Sequence, residues 1–119
     1  MDIWESQREL VAEITSALRA VGLEPISVGA HQHGASASVL EAFTGQISVT
    51  RGGVTASVGE SKMEHPSIAD AAAWVAEGFR IGAVAWPSGS VWQARRAKWG
   101  SPLVAGATRE EALALALAS

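Results

Sequence analysis

The sequence lacks cysteine, which excludes disulfide bonds, thiolate nucleophiles and zinc sites that need sulfur ligands. Also missing are the glycine-rich phosphate-binding motifs, the calcium-loop pattern and the G-x-S-x-G turn of many hydrolases. These absences remove the enzyme classes that sequence motifs identify most readily. We therefore expect a protein that is not an enzyme and that carries no cofactor.

Long apolar runs are absent as well. A stretch such as Ala112 to Ala118 is far shorter than the ~20 residues that a membrane-spanning helix needs. The opening residues 1–5, MDIWE, contain an early acid and lead into no apolar run, so no secretory signal is expected. The length of 119 residues suits one domain spanning residues 1–119, which we expect to be soluble, cytoplasmic and free of membrane contact.

Acidic residues are unevenly distributed along the chain, whose net charge is −3. Residues 1–77 hold ten acids and four bases, whereas residues 78–109 hold five bases and no acid. An overall acidic chain does not favour nucleic-acid binding. Residues 78–109 are its one basic region and the one part in which such binding is a candidate function.

The spacing of apolar residues predicts a first helix over residues 3–21, ended by Gly22. Its inward stripe is predicted to hold Trp4, Val11, Ile14, Leu18 and Val21. Two further helices are predicted from capping patterns. Ser67 with Asp70 opens one after Pro66, and Thr108 with Glu111 opens the last.

Strands are predicted between these helices. Residues 24–30 and 35–43 read as two strands, and "QISVTRGGVTASV" reads as a hairpin. With Gly52-Gly53 as its turn, Arg51 pairs with Val54 and Val49 lies opposite Ala56. A second hairpin is predicted from residues 80–86 and 90–99, followed by an extended piece at Leu103 to Ala105.

The predicted fold class is α+β: a two-layer domain of antiparallel hairpins in a sheet, packed by an N-terminal helix and two shorter capped helices. The expected order of elements is α-β-β-β-β-α-β-β-α.

The stretch "SVWQARRAKWG", residues 90–100, lies at the centre of the basic region. Because strand residues alternate between faces, Arg95 and Arg96 point in opposite directions and cannot form one flat patch. Each face mixes tryptophan with cationic side chains. This mixture fits arginine stems that cover core tryptophans, and it fits equally a contact surface for a protein partner.

The last helix is built only of alanine and leucine from Ala112 to Ala118, so Leu115 faces nearly opposite to Leu113 and Leu117. A helix that is apolar all round needs cover all round. The cover is the protein's own sheet, a second subunit or another protein. The candidate protein-binding residues are therefore Arg80, Trp86, Trp92, Arg95, Arg96, Lys98, Trp99 and Leu115.

Three histidines are the candidate metal ligands. His31 and His33 are two residues apart, a spacing that on a strand directs both side chains to one face, and His65 could supply a third ligand. The same histidines fit an ordinary polar loop.

The C-terminal segment "GATREEALALALAS", preceded by a short strand, resembles the strand-to-capped-helix segment of HicB-like antitoxin domains. It covers about a quarter of the chain, and such domains begin with a strand where this chain begins with a helix. The alanine- and glycine-rich, cysteine-free composition is similar to that of small inhibitors encoded by phages and mobile elements, including anti-CRISPR proteins. Both resemblances imply a protein that works by covering a larger partner.

The expected function is accordingly a non-catalytic, protein-binding module, of the inhibitor or antitoxin kind, with self-association through the last helix as a further possibility. The alternatives are a nucleic-acid-binding module that uses the basic 80–98 region, and a small metalloprotein that uses the histidines.

Overall fold

The computed structural model describes residues 3–119, with side chains from residue 6 onward, so the predicted inward packing of Trp4 lies outside the described side chains. The elements follow in the order α1 (Ile3–Ala20), β1 (Ser27–His31), β2 (Gly34–Leu40), β3 (Thr44–Thr50), β4 (Gly53–Val58), β5 (Ser61–His65), α2 (Ile68–Ile81), β6 (Ala83–Ser88), β7 (Val91–Arg96), β8 (Val104–Gly106) and α3 (Arg109–Ala118). The predicted α+β class and element order are confirmed. Strand β8 corresponds to the piece predicted at Leu103 to Ala105, and β5 is an additional strand that was not predicted.

The strands form two antiparallel sheets. The larger sheet is a meander in the order β1-β2-β3-β4-β5, and the smaller one has the order β6-β7-β8. Helices α1 and α2 pack on the same face of the larger sheet, where alternate strand residues such as Ala37, Ile47 and Ala56 are buried. The opposite face carries hydroxyl side chains, as strand alternation requires.

The predicted β3–β4 hairpin exists, but its predicted register is wrong by one step along each strand. Thr50 pairs with Gly53 and Val49 with Val54, so the two-residue turn is Arg51-Gly52. The hydroxyl of Thr50 accepts a hydrogen bond from the amide of Gly52 (3.2 Å), which fixes the earlier turn. The observed register differs from the predicted one by one residue on each strand, which is two residues in all. Because two is an even number, each side chain stays on the face predicted for it.

The second predicted hairpin is also shifted. Its turn is Gly89-Ser90 rather than Pro87-Ser88-Gly89, since Ser88 pairs with Val91. Pro87 lies within β6 as an edge-strand residue, where its missing amide hydrogen disrupts no ladder. Arg80, predicted to begin this hairpin, instead lies in the last turn of α2.

The helix ends follow the sequence signals. Leu23 donates its amide to the carbonyl of Leu18 and Gly22 has φ +83°, which is the left-handed ending predicted for α1. The Ser67 hydroxyl accepts from the Asp70 amide (3.1 Å), and the Thr108 hydroxyl accepts from the Glu111 amide (3.1 Å). No helix within residues 3–119 has the length and apolarity to cross a membrane.

Two hydrophobic clusters hold these layers. We call the first the main core; it lies between the larger sheet, α1 and α2, and its largest fully buried side chains are Ile14, Leu18, Val39, Ile47, Val58 and Val75. The second, the alanine core, lies between the smaller sheet and α3 and consists of Ala83, Ala85, Ala94, Ala112, Leu113 and Ala116. Helix α2 contacts strands of both sheets and so joins the two regions.

Candidate functional site

The β6–β7 hairpin is sandwiched between the two cores, which explains its mixed faces. Trp92 packs against the alanine core, while Trp86 packs against the main core. The Trp86 indole donates to the Gln93 side-chain oxygen (3.1 Å), so its polar edge is satisfied within the protein. These two candidate binding residues are therefore half-buried and contribute to packing.

The two adjacent arginines have different environments, as alternation predicted. Arg95 points toward the main core, with 21% of its side chain exposed, and lies 3.9 Å from the Glu60 carboxylate. Its Nε is buried, with no hydrogen-bond partner among the described residues. Arg96 is exposed and donates to the Ser119 carbonyl (3.1 Å). Arg95 is thus a cover over the interior, and Arg96 is the arginine open to a partner.

Strand β7 ends at Arg96, so alternation does not extend to Lys98 and Trp99. These residues belong to the connection 97–103 between β7 and β8, which we call the tryptophan loop. Trp99 is 64% exposed, and Leu103 on the same loop is 46% exposed. The predicted position of Trp99 on a strand face is therefore wrong, because Trp99 lies on a loop.

The tryptophan loop is anchored at several points. Ala97 is buried against the main core, and its amide donates to the Gly82 carbonyl (2.9 Å). The Gly100 amide donates to the Glu60 carboxylate, and the Ser101 hydroxyl donates to the Lys98 carbonyl (2.7 Å). The loop therefore presents Trp99 from a backbone that is held on both sides.

The turn between β4 and β5 also supports the tryptophan loop, because Gly59 packs closely against it. Gly59, with φ +58°, lies directly against the Ala97 carbonyl, where a Cβ atom would collide. The neighbouring Glu60 holds both Arg95 and the Gly100 amide. Sequence reasoning missed Glu60 because it lies 40 residues from Gly100, and no local pattern links the two positions.

The basic region of the sequence is dispersed in space. Arg109 forms an ion pair with Glu77, and Arg80 lines a groove of about 470 Å³ between α2 and the end of α1, together with Glu41 and Glu77. Of the five bases in residues 78–109, Arg96 and Lys98 are the exposed ones that lie within three residues of Trp99 in sequence.

Helix α3 packs its Ala112, Leu113 and Ala116 face against the smaller sheet. Leu115 and Leu117 are each 43% exposed. Leu117 lies four residues after Leu113 and shares its side of the helix, as predicted, but in the last turn of α3 it is as exposed as Leu115, which faces nearly the opposite way. The predicted exposed leucine is therefore accompanied by a second one.

The histidines are separated. His31 and His33 are exposed at the β1–β2 turn, whereas the sheet register places His65 four strands away on the face that packs against α2. His65 lies against the Trp74 ring, with centroids 5.2 Å apart, and burial lowers its pKa. Within residues 3–119, no three His, Cys, Asp or Glu side chains form a group that could hold a metal ion.

Comparisons with protein-family models, with curated proteins and with solved structures gave no match to this chain. The interpretation of the site rests on its geometry.

Proposed function

We propose that the protein is a non-catalytic binding module that covers an acidic surface of a partner protein with its tryptophan loop. The observation that carries the proposal is the 64% exposure of Trp99 on an anchored loop. A large aromatic side chain that faces water gains more free energy than most residues when a partner buries it. Because the loop backbone is already held, little conformational entropy is lost on binding.

The charge around Trp99 favours an acidic partner. Lys98 directly precedes Trp99, Arg96 lies three residues before it, and both are exposed. The Glu60 carboxylate is engaged by Arg95 and the Gly100 amide. Two exposed cations, of which Arg96 donates a hydrogen bond to the Ser119 carbonyl, match a carboxylate-rich surface and would accelerate the encounter with it.

The dispersal of the other bases supports a protein partner over a nucleic acid. Arg109 forms an ion pair with Glu77, and Arg80 lines the groove between α2 and the end of α1, so the described bases offer no continuous row of cations that could follow a phosphate backbone. With a net charge of −3, the long-range field also opposes a polyanion. A compact partner surface needs only the two local cations.

A photo-crosslinking amino acid at position 99 tests the proposal. We expect it to capture a protein partner from the source cells, and the same amino acid at exposed Val91, at the opposite end of β7 from the tryptophan loop, to capture none. The identified partner, purified, should bind wild type and lose at least tenfold in affinity for Trp99→Ser or Lys98→Glu. Leu117→Ser, at an exposed position in the last turn of α3, should bind as wild type does.

Equal binding of wild type and Trp99→Ser would overturn the proposal. Binding to single- or double-stranded nucleic acid at low salt that disappears in Lys98→Glu would instead establish the nucleic-acid alternative.

A further inference from the structure

Sheet edges with unpaired backbone groups are templates for pairing with another strand, and proteins usually block them. The two sheets have four edge strands: β1, β5, β6 and β8. Three of them carry a recognisable block and one does not.

On β6, the Trp74 indole donates to the carbonyl of Ala85 (3.0 Å), and Pro87 has no amide hydrogen. Strand β8 is only three residues long. On β5 the exposed residues are Lys62 and Glu64, and edge charges oppose pairing.

Strand β1 has none of these features on its free edge. Its one such side-chain contact is at its last residue, where Gln7 of α1 donates to the carbonyl of His31, a group that the register directs toward β2. The five residues of β1, SVGAH, include no proline, lysine, arginine or carboxylate, and all but Val28 are exposed. The two-residue turn Gln32-His33 makes His31 and Gly34 the hydrogen-bonded pair that closes the hairpin. By alternation, Ser27 and Gly29 also direct their backbone groups toward β2. The amides and carbonyls of Val28 and Ala30 therefore point to the free edge.

We propose that β1 pairs with β1 of a second copy of this chain, in antiparallel orientation about a twofold axis at Gly29. In this register the outward backbone groups of Val28 meet those of Ala30 in the other copy, which gives four hydrogen bonds. The two Gly29 residues meet at the axis as a non-hydrogen-bonded pair, the position where backbones approach most closely and where the absence of a side chain is an advantage.

A second copy fits this edge for a further reason. In an antiparallel twofold pairing each strand faces an identical strand. A strand with a net charge would therefore be repelled by the same charge on the other copy. Strand β1 has no permanently charged residue, and Ser27 then faces His31 of the other copy across the polar face. The result is one continuous sheet of ten strands. Its short ladder predicts a weak dimer that forms with rising concentration.

Two measurements test the proposal directly. Light scattering from micromolar to millimolar protein should show a monomer–dimer equilibrium. Hydrogen exchange should show that the amides of Val28 and Ala30 become protected as dimer forms, while the amides of Ser27 and Gly29 are protected at all concentrations. A wild-type protein that stays monomeric at millimolar concentration, or a dimer without protection at Val28 and Ala30, would overturn it.

A matched pair of double variants tests the register, because Ser27 and His31 are both exposed. Ser27→Lys with His31→Lys places like charges opposite each other twice and should weaken the dimer by about tenfold. Ser27→Lys with His31→Glu places opposite charges there and should dimerise at least as tightly as wild type. Equal dimerisation of the two variants would refute the Gly29 axis. Trp99→Ser should dimerise normally, which separates this proposal from the function of the tryptophan loop.

Discussion

The two hydrophobic cores differ in the size of the side chains that fill them. The main core buries Ile, Leu and Val side chains from two helices and four strands, whereas five of the six buried residues of the alanine core are alanines. Since burial free energy scales with the apolar area removed from water, the alanine core holds α3 less strongly. The tryptophan loop belongs to the smaller sheet in sequence, yet Ala97 and Glu60 attach it to the main-core region. The proposed binding residue is thus supported by the more stable of the two regions.

The largest expected effect comes from breaking the main core. Ile47→Ala removes a side chain that is 1% exposed and should lower the free energy of unfolding by about 2–5 kcal/mol. Urea denaturation followed by far-ultraviolet circular dichroism measures this loss. If the main core supports the whole fold, hydrogen-exchange protection should fall in both sheets together.

Leu113→Ala is the matched change in the alanine core. We expect it to raise exchange mainly in α3 and to leave the amides of β3 protected, because α3 opens at a lower free energy than the larger sheet. Equal loss of protection in β3 and α3 would contradict the difference between the cores.

Adding a methyl group at Gly106 should have the next largest effect. A Cβ there would lie 2.7 Å from the Ala112 amide nitrogen, so α3 must move as a unit. We expect Gly106→Ala to cost about 1–3 kcal/mol. Gly78→Ala is its counterpart in the main core, where the added methyl meets the side chain of Val84.

In Gly106→Ala the added methyl group collides with backbone atoms, whereas in Gly78→Ala it collides with a side chain. Because Val84 can change its rotamer and the α3 backbone cannot, Gly106→Ala should be the more destabilising variant in thermal denaturation. A larger effect of Gly78→Ala would mean that the α2–β6 contact is tighter than the packing of α3.

Removal of the helix caps should have a smaller effect. Ser67→Ala and Thr108→Ala each delete the side-chain acceptor of one helix N-terminus, at a cost of about 1 kcal/mol. The global melting temperature should fall in Ser67→Ala, whereas Thr108→Ala should mainly increase exchange in α3. Ser67→Asn and Thr108→Ser, which keep a capping oxygen, should restore protection in each case.

Local signals explain what could be predicted of the fold. The capping pairs Ser67–Asp70 and Thr108–Glu111 act within one helical turn, so the sequence alone locates both helix starts. Face alternation in β7 separated Arg95 from Arg96 for the same reason. The turn registers were predicted wrongly because the glycines near each turn allow it more than one position. The first turn is Arg51-Gly52 instead of Gly52-Gly53, and the second is Gly89-Ser90 instead of Pro87-Ser88-Gly89. In the first turn the Gly52 amide donates to the Thr50 hydroxyl.

Long-range contacts account for what could not be predicted. Nothing near Trp99 in sequence indicates that Gly59 and Glu60 support its loop. The division into two sheets, and the hydrogen bond by which Trp74 covers the edge of β6, are tertiary features that no local sequence pattern contains. Charge totals along the chain likewise failed to anticipate that Glu77 lies beside Arg109.

The smallest effect expected is a pH dependence that arises from His65 at the boundary between β5 and α2. Burial against α2 lowers the pKa of His65, and the opposing attraction of Asp70 is the weaker influence. In the unfolded chain His65 therefore binds a proton near its ordinary pKa of about 6.5, whereas in the folded protein it does so only at a lower pH. The stabilisation that neutral His65 gives the folded state is complete above pH ~6.5 and decreases as the pH falls toward the lower folded pKa. His65→Phe, which keeps a ring against Trp74, should flatten the decline in melting temperature between about pH 7.5 and 5.5. His33→Gln, at an exposed turn, should leave the decline unchanged, and a flattened curve for this control in place of His65→Phe would assign the dependence to the β1–β2 turn.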